Sequence, residues 1–285
     1  MTAVPPAPRL LHATPARLDT WLECPRRYRF RYVDRPAPPR AGAWAHLSLG
    51  AAVHVALARW WTLPVECRAP QAVAAVVDEV WTPDGFRDRE QSDRWRARAR
   101  TMVADYVEAE TARRTGLADP VRVEAAVALR CSPTVAVGGR PDRIDERPTG
   151  EGTELVVVDY KTGRRGVSGD DARASRTLAI YAAAAEATLR RPATRVELHH
   201  LPTGSVAVWR HDVVARDRQV ARSIDVAEEC RRVEAEVAAG TSPPFEPRPG
   251  PLCAWCDYRA ACPEGAAAVP AAAPWAGLEP DDDAS

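Results

Sequence analysis

Lysine is almost missing from this chain of 285 residues: 39 residues are Lys or Arg, and all but Lys161 are arginine. A composition rich in Ala, Arg, Val and Pro, of the kind a GC-rich genome imposes, depletes lysine without any structural cause, but it does not explain the exception. Net charge is lacking too, because 39 acidic residues balance the basic ones, so bulk charge gives no argument for a nucleic-acid partner. No run approaches the roughly 18 to 20 uncharged apolar residues of a membrane span. The opening "MTAVPPAPRLLHATPARL" has prolines where a secretory leader needs an apolar core, so a cytoplasmic protein is expected. Seven cysteines, an odd number in a chain this long, argue against a disulfide framework. Internal repeats and helicase motifs are absent, so any motor would be a separate helicase partner.

What is present alternates between two periods. "TPARLDTWLECP" (14–25) offers Thr14 as N-cap and Pro15 at the first helical position, with Pro25 to end the helix. "RRYRFRYV" (26–33) reads as a second short helix and "RPAPPRAG" as a linker. Apolar residues at helical spacing predict a buried helix over 45–61, and two more follow near 70–82 and 88–115. The β-rich runs "VRVEAAVALRC" and "TVAVGGR", split by Ser132-Pro133, predict a hairpin. "PDRIDE" either extends its second strand or begins a third. "ELVVVDYKT" (154–162) has the continuous apolar character of a strand buried on both faces. A helix over 171–190, two strands around a Pro-Thr-Gly turn, and a helix over 213–239 complete the core. The fold class this implies is α/β, with a mixed central sheet flanked by helices. Residues 1–13 and an acidic tail over 264–285 read as disordered.

On a strand, Asp159 and Lys161 point to the same side while Tyr160 points away. An isolated D-x-K can be a structural ion pair. "GGRPDRIDE" adds Asp142, seventeen residues upstream, which meets Asp159 if the two strands are neighbours. Converging carboxylates repel unless a cation joins them, and hard oxygen ligands suit Mg²⁺ or Mn²⁺. A compact ammonium fits beside a metal and a phosphate, where the wide planar guanidinium does not. Such a donor contributes roughly 3 to 4 kcal/mol to transition-state stabilisation. "CPRRYRFRYVDRPAPPR" (24–40) interleaves basic and aromatic residues. It reads either as a strand-binding surface, with Arg26 and Arg27 on substrate phosphates, or as a solvated helix face.

"CAWCDYRAAC" places Cys253, Cys256 and Cys262 in C-x2-C-x5-C spacing, with Cys24 as a distant fourth thiol. Spacing alone favours a four-thiolate zinc site. Trp255 and Tyr258 are positioned to shield it from water. Cys67, Cys131 and Cys230 read as small core residues.

"GRPDRID" followed by "VVVDYKTG" resembles the PD-(D/E)XK nuclease superfamily, and specifically its RecB-like exonuclease branch. "GAAVH" (50–54) resembles the branch's G-x-x-x-H motif, which implies His54 as a metal ligand with Asp142 and Asp159. Tyr181 matches the tyrosine of a Q-x-x-x-Y motif, implying a catalytic and substrate-binding role, while Thr177 stands where that motif has glutamine. Glu124 matches a less regular acidic position and reads as a surface or supporting residue.

The resemblance implies a restriction-endonuclease-like core within a nuclease domain over 14–263. Its helical part would be about 14–116, its catalytic part about 120–240, and its cysteine segment 250–263. It replaces zinc by a 4Fe-4S cluster on Cys24, Cys253, Cys256 and Cys262 that ties the chain ends together. The implied activity is Mg²⁺- or Mn²⁺-dependent exonucleolytic hydrolysis of DNA, at single strands or ends, in repair or recombination. The other readings are a noncatalytic DNA-binding module and a metal hydrolase of small phosphoesters.

Overall fold

The computed structural model describes residues 10–114, 118–150 and 152–278. The strand β1 (Leu11–Ala13) leads into α1 (Pro15–Glu23), where the Thr14 hydroxyl accepts from the Arg17 amide. The short α2 (Pro25–Tyr28) runs on into a wider π turn over Arg29–Val33. Three helices follow: α3 (Ala45–Thr62), α4 (Pro70–Val80) and α5 (Arg89–Arg113). The strands β2 (Arg122–Val123), β3 (Val127–Arg130), β4 (Val135–Gly139), β5 (Arg143–Thr149) and β6 (Gly152–Lys161) come next. Then come α6 (Gly169–Ala174), α7 (Arg176–Leu189), β7 (Arg195–His200), β8 (Ser205–Arg210), α8 (Val213–Ala238) and α9 (Pro263–Ala268).

The expected α/β class is what the molecule shows, with one change of plan. The strands form two mixed sheets instead of one, a five-stranded sheet in the order β2-β5-β6-β7-β8 and a three-stranded sheet in the order β1-β4-β3. In the larger, β6 runs antiparallel to β5 and parallel to β7, and α6 and α7 make the crossover. The helix expected over 171–190 is broken at Ser175, whose side chain turns back to cap the first turn of α7.

Strand β6 is buried on both faces because each meets a different helical layer. Val156, Val158 and Tyr160 join a cluster with α3, α4 and α5. Leu155 and Val157 join another with Leu178, Ala182 and Ala185 of α7. The remaining side of α7 presents Ala179, Ile180 and Ala183 to the three-stranded sheet and α8. Alanines let this helix lie close between two sheets.

Regular structure reaches into both of the ends that the sequence reads as disordered. Residues 11–13 add a parallel strand to β4. From 264 the chain forms α9 and then returns along the molecule, burying Leu278 in the cluster under α3. The cause is local: α3 has no side-chain cap, and its first amide, Ala45 N–H, donates to the Pro274 carbonyl. The acidic residues from 279 onward, and 1–9, lie outside the described residues. Leu278→Ala is expected to cost about 2 kcal/mol. In a thermal melt that is a fall of roughly 4–8 °C, and an unchanged midpoint would mean the strap carries no stability. Among the described residues no helix is long and apolar enough to cross a membrane.

Candidate active site and cysteine cavity

Asp142 lies one residue before β5. The register Arg143↔Val158 places it opposite Asp159, so the two carboxylates meet where the central strands end. The Tyr160 amide donates to Asp142 Oδ2 (2.5 Å), which fixes that carboxylate to the neighbouring strand. The other oxygen, Oδ1, lies 2.8 Å from His54 Nδ1. His54 arrives from α3, and Gly50 one turn earlier lets the helix approach the strand end: a Cβ there would stand 3.3 Å from Thr162 Oγ1.

A third acidic group completes this arrangement. Glu124, read as a supporting residue from sequence, has a ligand atom grouped with those of His54 and Asp142, all within 4.8 Å of one another. It sits at the crossing from β2 in one sheet to β3 in the other, with a left-handed φ of 45°. For a residue with a side chain such a φ costs roughly 1–2 kcal/mol, and strain of this kind concentrates at functional sites. Burial first, and then Asp142, raises the Glu124 carboxyl above its ordinary range.

Asp159 is not one of that trio. Its Oδ2 lies 2.6 Å from Lys161 Nζ. Burial and the nearby Asp142 push the Asp159 carboxyl up against the opposing pull of Lys161 and His54. Burial pulls the Lys161 ammonium down, but Asp159 and Asp142 outweigh it and hold the group above its usual value, so it stays charged. Likewise His54 is lowered by burial and raised more by Asp142, Asp159 and Glu124. Negative charge in excess of local cations, at oxygen and imidazole donors, is the chemistry of a site for a hard divalent ion.

Tyr181 of α7 packs its ring on Gly139, where a Cβ would stand 2.9 Å from the ring. Its hydroxyl is pushed up to about 12, by burial and then by Asp159, Asp142 and Glu124, so it stays protonated beside them. Thr177, one turn earlier, is half-buried. The site opens into a cleft of about 410 Å³ lined by Lys161, Thr162, Arg164 and α3.

The four clustered thiols come together as well. Cys24, Cys253, Cys256 and Cys262 line a single cavity between α2 and the C-terminal segment. The Gly265 amide donates to Cys262 Sγ (3.4 Å) and the Arg248 amide to Cys24 Sγ (3.5 Å). A Cβ on Gly265 would come within 3.3 Å of Cys262 Sγ and 3.4 Å of Cys253 Sγ, so glycine is needed where backbone cradles the sulfurs.

Several expectations around this cavity change. Arg26 and Arg27 line it instead of the catalytic cleft. Arg26 donates to the Phe245 carbonyl, and Arg27 pairs with Glu23. Tyr28 is fully buried, and Phe30 packs on Tyr258, so the basic-aromatic stretch spends its rings on internal packing. Phe30 and Leu252 line the cavity, while Trp255 turns away to stack on Trp44. Of the other cysteines only Cys230 is buried; Cys67 is exposed.

The cavity is wired to the active site through Asp257. Its carboxylate accepts from Trp44 Nε1 (3.0 Å) and pairs with Arg40, and its carbonyl accepts from the Ala41 amide. Trp44 is the residue from which α3, the His54 helix, begins.

The model of the PD-(D/E)XK nuclease superfamily matches residues 12–263. A comparison with curated proteins finds no match. With strand ends, carboxylates and lysine arranged as above, and a match reaching from before the first helix to just past the last clustered cysteine, the chain belongs to the PD-(D/E)XK nuclease superfamily.

Proposed function

We propose that this chain is a metal-dependent deoxyribonuclease that removes nucleotides from single-stranded DNA or DNA ends in repair or recombination. The observation that carries the reading is the meeting of His54, Glu124 and Asp142 beside the Lys161–Asp159 pair. Mg²⁺ or Mn²⁺ bound there would polarise phosphoryl oxygens and lower the pKa of a bound water. The roles of the residues follow from their chemistry. His54, Asp142 and Asp159, with Glu124 added, would hold the ion. Lys161 keeps its proton and presents it to the developing charge on the phosphate. Tyr181, protonated, donates toward the same carboxylates or to a substrate phosphate.

We assign the cysteine cavity to a 4Fe-4S cluster, supported by the convergence of four thiols on one cavity and the amide donors to sulfur. It would join Cys24 to a segment more than two hundred residues away and so restrict the unfolded chain. Purified without oxygen, the protein is expected to be brown, with about four irons per chain. Cys24→Ser should lose that iron and melt lower; zinc without iron in elemental analysis would overturn the assignment.

Digestion of end-labelled single- and double-stranded DNA, with and without Mn²⁺, tests the activity itself. Shortening of labelled strands that needs the metal, and disappears in Asp142→Asn, is the expected result. Binding with no loss of length in Mn²⁺ would instead leave a noncatalytic DNA-binding module.

A further inference from the structure

The cleft beside Lys161 has unlike walls. On one side stand Lys161, Thr162 and Arg164, groups that donate to phosphate. On the other is the outward face of α3, where Leu47 and Ala51 line the cleft next to His54 and Val55 carries the stripe one turn beyond it. Leu47 is 59% exposed and Val55 39%, among the few large apolar side chains left open to solvent. From Ala45 to Ala58 this helix has no acidic residue, lysine or arginine. A duplex presents phosphates on both sides of each groove and is held by cations on both. An aliphatic wall gives phosphate nothing, whereas the flat face of an unstacked base covers it well.

We infer that the Leu47–Ala51–Val55 stripe is the base-contacting surface of the nuclease. The bases of an unpaired strand lie along α3 while their phosphates follow Lys161 to Arg164. The inference rests on the nuclease reading and sets its substrate class: the strand must be unpaired where it enters. Continuity of the stripe with the His54 face supplies the register, because the same helix that faces the metal site also faces the neighbouring bases. Leu47 and Val55 are thereby specificity-determining residues that take no part in the chemistry.

The test is equilibrium binding by the full chain, followed by fluorescence anisotropy without divalent ion. Three probes are compared: a single strand, the same sequence as a duplex, and an abasic strand of equal length. The double variant Leu47→Ser/Val55→Ser is expected to bind the single strand about tenfold more weakly, the order of one lost base contact. Binding of the duplex and the abasic strand should stay within about twofold, and the melting midpoint should hold, since both side chains are exposed. Leu47→Met/Val55→Ile should restore the single-strand affinity. Equal losses on all three probes, or none on the single strand, would overturn the inference. A single-strand effect that vanishes when residues 279–285 are deleted would also overturn it, making the acidic terminus the stripe's occupant. A wild-type chain that discriminates the probes in this way yet cuts nothing in Mn²⁺ fails the nuclease reading and leaves the base surface standing.

Discussion

Replacing Lys161 by alanine is expected to slow DNA cleavage roughly 10²- to 10³-fold, the range for losing one preorganised donor to transition-state charge. The fold should survive with some loss of stability, because the side chain is about half exposed but the buried Asp159 loses its ion-pair partner. More informative is Lys161→Arg. A guanidinium restores the positive charge and can pair with Asp159, so a role limited to charge balance is rescued. It is also planar and wider, with its charge spread over a rigid fork, so it cannot place a compact positive charge against Asp159 and a phosphate at once. The arginine variant should therefore keep the alanine variant's rate to within about tenfold while recovering its stability. Single-turnover digestion of an end-labelled single strand in Mn²⁺, with circular dichroism of each variant, gives both numbers. Wild-type rates in the arginine variant would reduce the lone lysine to a leftover of codon bias. Wild-type rates in the alanine variant would remove Lys161 from the site altogether.

How far the sequence reaches is visible in this same corner of the molecule. The apolar run before Asp159 needs burial on both faces, and two helical layers supply it. From that strand the D-x-K pair and the antiparallel neighbour bearing Asp142 follow with their register. Less legible was the departure of β3 and β4 into a second sheet. A hairpin's alternation reads the same whichever sheet it joins, and the switch depends on a single left-handed residue, Glu124, with no glycine to mark it. For the same reason Glu124 looked peripheral. The alanine-rich stretch after 264 misled in the opposite direction: its composition resembles disorder, but Pro274 satisfies the start of α3 and Leu278 fills a space beneath it. Arg26 and Arg27 show the limit of charge patterning, because a basic-aromatic run does not reveal whether its rings stack on bases or on the protein.

Nothing in the local pattern marked Arg143, yet its replacement by methionine is expected to have the largest effect on stability. Arg143 follows Asp142 directly and is wholly buried. Its Nη2 lies 2.7 Å from Glu110 Oε1 and 3.1 Å from Asp145 Oδ2. Nη1 donates to the hydroxyls of Tyr106 and Tyr160, and the guanidinium stacks over Trp61 at 4.9 Å. Burial opposes the charge, but Tyr106, Tyr160, Asp145 and Glu110 outweigh it and hold the guanidinium well above its ordinary pKa. Methionine would fill much of the volume but remove the fully buried cation between two buried carboxylates, leaving Glu110 to Arg113 and Asp145 to Arg114 and Arg147. Breaking a buried pair from one side costs about 3–5 kcal/mol. For a chain of this size that is a fall in melting midpoint of roughly 10 °C. Because the penalty lies in the stranded charges, Arg143→Met combined with Glu110→Gln and Asp145→Asn should recover a substantial part of it. A single variant that melts like wild type would mean the network contributes little. A triple variant no better than the single one would place the cost in packing against Trp61 and Tyr160 instead of in charge. Either way the site should feel it, because Tyr160, held by Arg143 through its hydroxyl, is the residue whose amide anchors Asp142.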